Sequence, residues 1–171
     1  MSEDYRLDCT DRLAIRLAAG VIKRWHTVPI HGEQTVADHT YRVVQILRYI
    51  EPVPSKQLLC AALDHDVAEA KTGDIPFSQK TKDAIALEKE VLKKYDIAPT
   101  LEPYEAKLLK VADMLEMGYF AMQQHDMGNV PMGYILRNVV EALDEYCNLN
   151  DRVSFMYTEL VEYLEAIHGS D

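Results

Sequence analysis

Apolar residues in this chain recur at intervals of three and four in one segment after another, and each segment is closed by a capping residue, a glycine or a proline. No stretch alternates apolar and polar residues with the period of two that a half-buried strand needs. The pattern predicts an all-α fold, a compact bundle of six or seven helices. The first helix is expected from Thr10 or Asp11 to about Arg24, with Leu13, Leu17 and Val21 as its inward stripe. Pro29 and Gly32 mark a loop. Thr35 caps a second helix and Asp38 completes a variant capping box. Val36, Val43, Ile46, Leu47 and Ile50 then face inward until Pro52 and Pro54 end the helix.

A third helix starts at Ser55, carries Leu58, Leu59, Ala62 and Leu63 up to His65 and Asp66, and exits at Gly73. Ser78 is read as the cap of a charged helix reaching Tyr95, and a helix from about Tyr104 to His125 follows Pro99 and Pro103. After a break at Gly128, Pro131 and Gly133, helices over about Tyr134 to Leu149 and Val153 to Ile167 complete the set. At 171 residues, 48% hydrophobic and 27% charged, with no repeat and no linker-like stretch, residues 1–171 read as one soluble domain. The acidic start does not resemble a signal peptide, and no window approaches the ~18 consecutive apolar residues of a membrane span. The expectation is a cytoplasmic, unanchored protein. Cys9, Cys60 and Cys147 lie far apart without a CxxC pair, so they are expected to be buried or half-buried thiols. A net charge of −10 disfavours a nucleic-acid polymer as partner, because such binding needs many Lys and Arg on phosphates. A small anion remains compatible.

The chemistry concentrates in Leu63-Asp64-His65-Asp66-Val67-Ala68-Glu69, where an imidazole adjoins a carboxylate and a second carboxylate follows four residues after the histidine. Imidazole nitrogen and carboxylate oxygen together suit divalent transition ions. Taken alone, a His-Asp pair is more often a surface pair or a satisfied core histidine. Two further residues weigh against that. His39 lies on the inward side of the second helix near its first turn, and Asp113 sits in the apolar run Leu108-Leu109-Lys110-Val111-Ala112-Asp113-Met114-Leu115. A buried carboxylate there is costly unless paired or bound to metal. One ion held by His39, His65, Asp66 and Asp113 satisfies all four groups and joins three helices.

The ordered set His39, His65-Asp66, Asp113 resembles the metal signature of the HD-domain phosphohydrolases, an all-helical superfamily. Arg24-Trp25, Thr35-Val36-Ala37-Asp38-His39 and the run from His65 through Pro76 look like the YfbR-type 5′-deoxynucleotidase branch, which includes phage dATP triphosphohydrolases. Asp38 departs from the glutamate of many members. The resemblance implies one catalytic divalent ion (Co, Mn, Ni, Fe or Zn), with Glu69 as general base or acid and Asp74 orienting water or sugar. It also implies that Arg24 and Trp25 contact phosphate, sugar or base, and that the protein associates as a dimer or hexamer. Lys80 and Lys110 are candidates for additional phosphates, and Lys110 is expected to share the face of Asp113. The implied reaction is cleavage of the 5′ phosphoester of a deoxynucleotide, with dATP preferred and dADP or dAMP admitted. A broad 5′-deoxynucleoside monophosphatase and a non-catalytic nucleotide-binding or sensor module are the alternatives. A polymer-directed nuclease or cyclic-dinucleotide phosphodiesterase is disfavoured by the charge. Nothing in the pattern of His26, His31, His125 and His168 points to partners or to a second metal.

Overall fold

The computed structural model describes residues 9–76, 79–97 and 100–168, without the side chain of His168. Among them are eight α-helices: α1 Cys9–Gly20, α2 Val36–Ile50, α3 Lys56–Asp64, α4 Glu69–Thr72, α5 Lys82–Lys94, α6 Pro103–Asp126, α7 Met132–Leu143 and α8 Asp151–His168. The fourth is a single turn, leaving seven longer helices, and no described residue belongs to a strand ladder. No described helix is long and apolar enough to cross a membrane.

The capping expectations at Thr35 and Ser55 hold. Thr35 accepts from the Asp38 N–H while Asp38 accepts from the Thr35 N–H, and Ser55 accepts from the Leu58 N–H. The Thr35 hydroxyl also donates to Asp38 Oδ2 at 2.7 Å, and this bond, followed by that from the Thr35 N–H, holds the Asp38 carboxyl below the usual carboxylate range. Thr81, by contrast, caps α5, and Ser78 lies outside the described residues. The last expected helix but one stops at Leu143 and tightens into a 3₁₀ turn, Asp144–Tyr146.

Helix α6 is the central strut, packing on α2, α3, α7 and α8. Val43, Leu47, Leu58, Val111, Leu115, Leu136, Leu143 and Leu160 are essentially inaccessible along these contacts. A smaller cluster, with Ile15 and Ala19 of α1, Val67, Ala68, Val91 of α5 and Ile97, lies on the other side of the 65–69 turn.

Helix α1 corrects two expectations. It ends at Gly20, and the stripe Leu13, Leu17 and Val21 is exposed at 56%, 66% and 73%. Its inward face is Ile15 and Ala19, flanked by Arg16, whose guanidinium donates two 2.8 Å bonds to the Asp64 carboxylate, and by Arg12 paired with Asp96. Both stripes have helical spacing, so period alone does not choose between them; the two arginine pairs do. Leu63 is likewise exposed, as are the thiols of Cys9 and Cys60, while Cys147 is half-buried.

The third helix also ends earlier than its pattern suggests, at Asp64. Glu69, Ala70 and Lys71 donate to carbonyls three residues back, those of Asp66, Val67 and Ala68, so the turn over residues 65–68 leads tightly into the single α-helical turn of α4, where Thr72 and Gly73 return to four-residue bonds. Gly73 then leaves at φ 70°, a left-handed value suited to glycine.

At the crossing of α6 and α8, Gly118 is buried and a Cβ placed on it would lie 2.7 Å from Leu160 Cδ1 and 3.3 Å from Val139 Cγ1. Gly118→Val is expected to lower the unfolding free energy by about 1–3 kcal/mol through overpacking, measured by urea denaturation.

Candidate functional site

Helix α2 delivers His39 from its first turn, the coil after α3 delivers His65 and Asp66, and α6 delivers Asp113. The His39 Nε2 lies 3.0 Å from Asp113 Oδ1, 3.3 Å from His65 Nε2 and 3.5 Å from Asp66 Oδ2. His65 Nε2 lies 3.4 Å from Asp66 Oδ2 and 3.9 Å from Asp113 Oδ1. Four donor atoms from three parts of the chain thus converge on one point.

The outer nitrogens show what that point suits. His65 Nδ1 donates to the Ala62 carbonyl at 2.8 Å and His39 Nδ1 to Glu116 Oε2 at 2.6 Å. With both Nδ1 atoms protonated, the two Nε2 lone pairs face each other and two carboxylate oxygens. Such a set repels itself unless a cation or proton lies between. Metal–ligand bonds of about 2.0–2.2 Å place neighbouring ligand atoms roughly 3–3.6 Å apart, close to the separations observed. The donor set therefore fits a divalent transition ion, and His39, His65 and Asp113 form the group able to hold one, with Asp66 beside them.

Without a cation the cluster holds protons instead. Burial opposes a charge on His39, but hydrogen bonds with Asp113 and Glu116 prevail and push its pKa up to about 9. Burial would raise Asp113, yet the bond from His39 and the charges of His65, His39 and Arg24 hold it well below the usual range. The Asp113 side chain is 37% exposed, at the mouth of the cluster. The fully buried carboxylate of α6 is instead Glu116, which sequence reasoning missed. Its only sequence signal is an acidic residue one turn beyond Asp113 inside the apolar stretch Leu115-Glu116-Met117.

Glu69 is buried, and its Oε2 has no hydrogen-bond partner among the described residues. Burial, followed by the negative charges of Asp66 and Asp74, pushes its carboxyl up to about 9 against the pull of Arg24 and Lys80.

Arg24 and Trp25 lie outside α1, in a loop whose neck is closed by backbone bonds from Arg24 to Gln34 and from Val36 to Ile22. Arg24 Nη1 donates to Asp66 Oδ2 at 3.0 Å, and its buried Nε is unpartnered among the described residues. Burial opposes the guanidinium charge, yet Asp66, Asp113, Asp74 and Glu69 raise its pKa. The Trp25 ring stacks on Phe120 with centroids 5.2 Å apart, and its Nε1 donates to Gln34 Oε1 at 2.6 Å. Asp74 accepts from the Trp25 N–H at 3.2 Å, with His26 Nδ1 3.5 Å away, so it also braces this loop. That gives His26 a partner its sequence context did not suggest, as His125 has in Tyr163.

The two lysines separate. Burial opposes the charge on Lys80, but its 2.9 Å pair with Glu88 and, behind that, the charges of Asp66 and Glu69 raise its pKa. Lys110 donates to Tyr146 at 2.8 Å and pairs with Glu145 on the 3₁₀ turn after α7. It does not join Asp113 as the helical spacing suggested, because α6 turns its side chain toward Tyr146.

Against known proteins, the family model for the HD domain matches residues 21–116, more than half of the chain. A dATP triphosphohydrolase of cyanophage S-2L is 26% identical over 164 residues, spanning 86% of this chain and 93% of that protein. The structure of the cyanophage S-2L HD phosphohydrolase DatZ, bound to dA and one catalytic Zn²⁺ ion, superposes with a TM-score of 0.62 at 25% identity, over 87% of this chain and 95% of DatZ. PH0347 from Pyrococcus horikoshii has the same fold, with a TM-score of 0.73 at 23% identity over 90% of this chain and 99% of its own. So does the HD-domain phosphohydrolase lin2634 from Listeria innocua, with a TM-score of 0.69 at 19% identity over 92% and 89%. With His39, His65-Asp66 and Asp113 drawn together inside this helical frame, the chain belongs to the HD-domain family and is an HD phosphohydrolase.

Proposed function

We propose that this HD phosphohydrolase cleaves the 5′ phosphoester of deoxynucleotides, with dATP as preferred substrate and deoxyadenosine and tripolyphosphate as products. The observation that carries the reading is the convergence of four ligand atoms of His39, His65, Asp66 and Asp113 beside a buried carboxyl, Glu69, with a free oxygen. The likeness to the cyanophage dATP triphosphohydrolase, and the dA bound in DatZ, support the substrate class.

In this reading the four residues hold one divalent ion of the Co, Mn, Ni, Fe or Zn type. When bound, such an ion polarises the phosphoryl oxygen and acidifies water. Glu69 handles the proton, taking it from the attacking water or giving it to the leaving 5′-oxygen; burial and the Asp66 charge keep that proton exchangeable near neutral pH once a cation offsets them. Arg24, held against Asp66 with one buried N–H unused, supplies a donor for phosphate. Trp25 walls the sugar and base, Asp74 fixes that wall through its backbone N–H, and Lys80 faces the outer phosphates. Self-association into a dimer or hexamer belongs to the same reading and is measured by light scattering.

One observation favours a second reading, a 5′-deoxynucleoside monophosphatase. Lys110 is committed to Tyr146 and Glu145, leaving Lys80 as the lysine near Glu69 for an extended phosphate chain. Incubation with the four deoxynucleoside triphosphates and monophosphates, with Co or Mn, separates the two. Release of deoxyadenosine and tripolyphosphate from dATP is expected; activity confined to monophosphates selects the second reading, and inertness toward all eight overturns both.

Glu69→Gln is expected to keep the ion and lose roughly 10²–10⁴-fold in turnover, read by metal analysis beside deoxynucleoside release. Ion binding should also be pH-dependent. The proton on His39, whose pKa is raised above the ordinary 6.5 to about 9, must leave before Nε2 can ligate. Cobalt affinity is therefore expected to rise roughly tenfold per pH unit up to about pH 9 and then level, measured by titration calorimetry. In the metal-free chain the sign reverses: the stability that protonated His39 confers is complete below about pH 6.5 and is lost as pH rises through about 9.

A further inference from the structure

Glu116 has no solvent contact, and its carboxylate accepts two hydrogen bonds and forms one ion pair. Oε2 takes His39 Nδ1 at 2.6 Å, while Oε1 takes Gln34 Nε2 and Arg42 Nε, both at 2.9 Å. Gln34 is 3% exposed, and its amide oxygen accepts from Trp25 Nε1 at 2.6 Å. An indole N–H only donates and a carboxylate only accepts, so the Gln34 amide has one orientation that satisfies both neighbours. An unbroken series of bonds therefore runs from the His39 ring through Glu116 and Gln34 to the Trp25 ring.

Trp25 depends on that series. Its φ of 62° lies in the left-handed region, unfavourable for a bulky side chain, and the conformation is held by the Gln34 bond, the Phe120 stack and the Asp74 bond to its N–H.

We propose that Glu116 is a positioning residue that aims His39 Nε2 at the cation and, through Gln34, sets the Trp25 ring, coupling the ion site to the aromatic wall. The proposal rests on the cation reading given above. A carboxylate is required because all its partners are donors: a glutamine at 116 would turn its NH₂ either on His39 or on Gln34 and Arg42, and donor would meet donor. Arg42, which α2 supplies one turn after His39, sets a positive charge 2.9 Å from this buried carboxylate. One helix thus carries both the ligand and the counter-charge of the group that orients it.

The two arms of this coupling can be separated, because Trp25 is the only tryptophan of the chain. Zinc, a closed-shell ion, is titrated into the full chain by calorimetry and by tryptophan emission. Wild type is expected to bind zinc with a shift in Trp25 emission. Glu116→Gln should weaken zinc binding roughly 10–100-fold, as removal of an outer-shell partner of a ligating histidine typically does. Glu116→Asp, which keeps a carboxylate, should recover part of that loss. Gln34→Met leaves the Glu116–His39 bond in place; it is expected to keep zinc affinity near wild type, abolish the zinc-induced emission shift and raise KM for the deoxynucleotide with kcat retained. Thermal melts show which variants fold, and the Gln34→Met arm stands even where Glu116→Gln does not. Wild-type zinc affinity in folded Glu116→Gln, or an undiminished emission shift in Gln34→Met, overturns the proposal. If wild type and His39→Ala take up zinc equally, the cation reading itself falls, and the proposal with it.

Discussion

Ligand atoms of His39, His65 and Asp113 drawn within 4.8 Å of one another, with Asp66 beside them, are the constraint around which this molecule is arranged. Once His39 Nε2 gives up its proton, imidazole lone pairs and carboxylates no longer attract one another, so something else must hold them. Here it is the apolar packing of α6 against α2 and α3: Val43 and Leu47 lie on the turns following His39, and Val111, Ala112 and Leu115 bracket Asp113. Burial of each large apolar side chain contributes on the order of 1.5–3 kcal/mol, so a few such contacts exceed the repulsion that the cluster imposes. The Arg16 fork on Asp64 adds a second clamp, fixing the residue immediately before His65.

The 65–72 segment shows how local geometry becomes chemistry. Helix α3 stops at Asp64, and a run of three-residue bonds carries the chain through His65 and Asp66 into α4, which buries Glu69 within the field of Asp66, Asp74, Arg24 and Lys80. That segment is sealed by Val67 and Ala68, which belong to the α1 and α5 cluster rather than to the main core. Glu69 and the His39–Asp113 pair therefore rest on different hydrophobic supports.

The helices themselves were readable because capping residues and apolar spacing are local signals: Thr35, Ser55 and Pro103 start helices where their chemistry says they should. The orientation of α1 was not, since Leu13-Leu17 and Ile15-Ala19 have equal spacing and the choice between them is made by Asp64 and Asp96, far away in the chain. The grouping of His39, His65 and Asp113 was readable because a His-Asp doublet with a distant His and Asp is a resemblance carried by residue identity. Lys110 failed for the opposite reason: three-residue spacing from Asp113 says only that two side chains leave one side of a helix, and Tyr146 decided where the ammonium went. Glu116 was illegible on any local rule, for a helical glutamate between Leu115 and Met117 ordinarily faces solvent. Its role exists only once α2 has brought His39, Arg42 and Gln34 around it.

Charge explains how so acidic a chain can approach an anionic substrate. Asp66, Asp74, Glu69, Asp113 and Glu116 all lie at or next to the cluster, countered directly by Arg24 on Asp66, Arg42 on Glu116 and Lys80 nearby. With Glu69 holding its proton and His39 charged, these groups offer a phosphate no excess of positive charge. In the reading proposed above, a divalent cation held by His39, His65, Asp66 and Asp113 would offset these carboxylates and supply positive charge at the mouth of the site. Arg24 would then share the neutralising of Asp66, and its buried Nε–H, unpartnered among the described residues, would be a donor for phosphate. Because screening damps charges more than roughly 8–10 Å away, the net charge of −10 over the whole chain weighs less on the substrate than this inner balance. Ion binding and phosphate binding are on this account successive parts of one electrostatic event, the first creating the potential that the second requires.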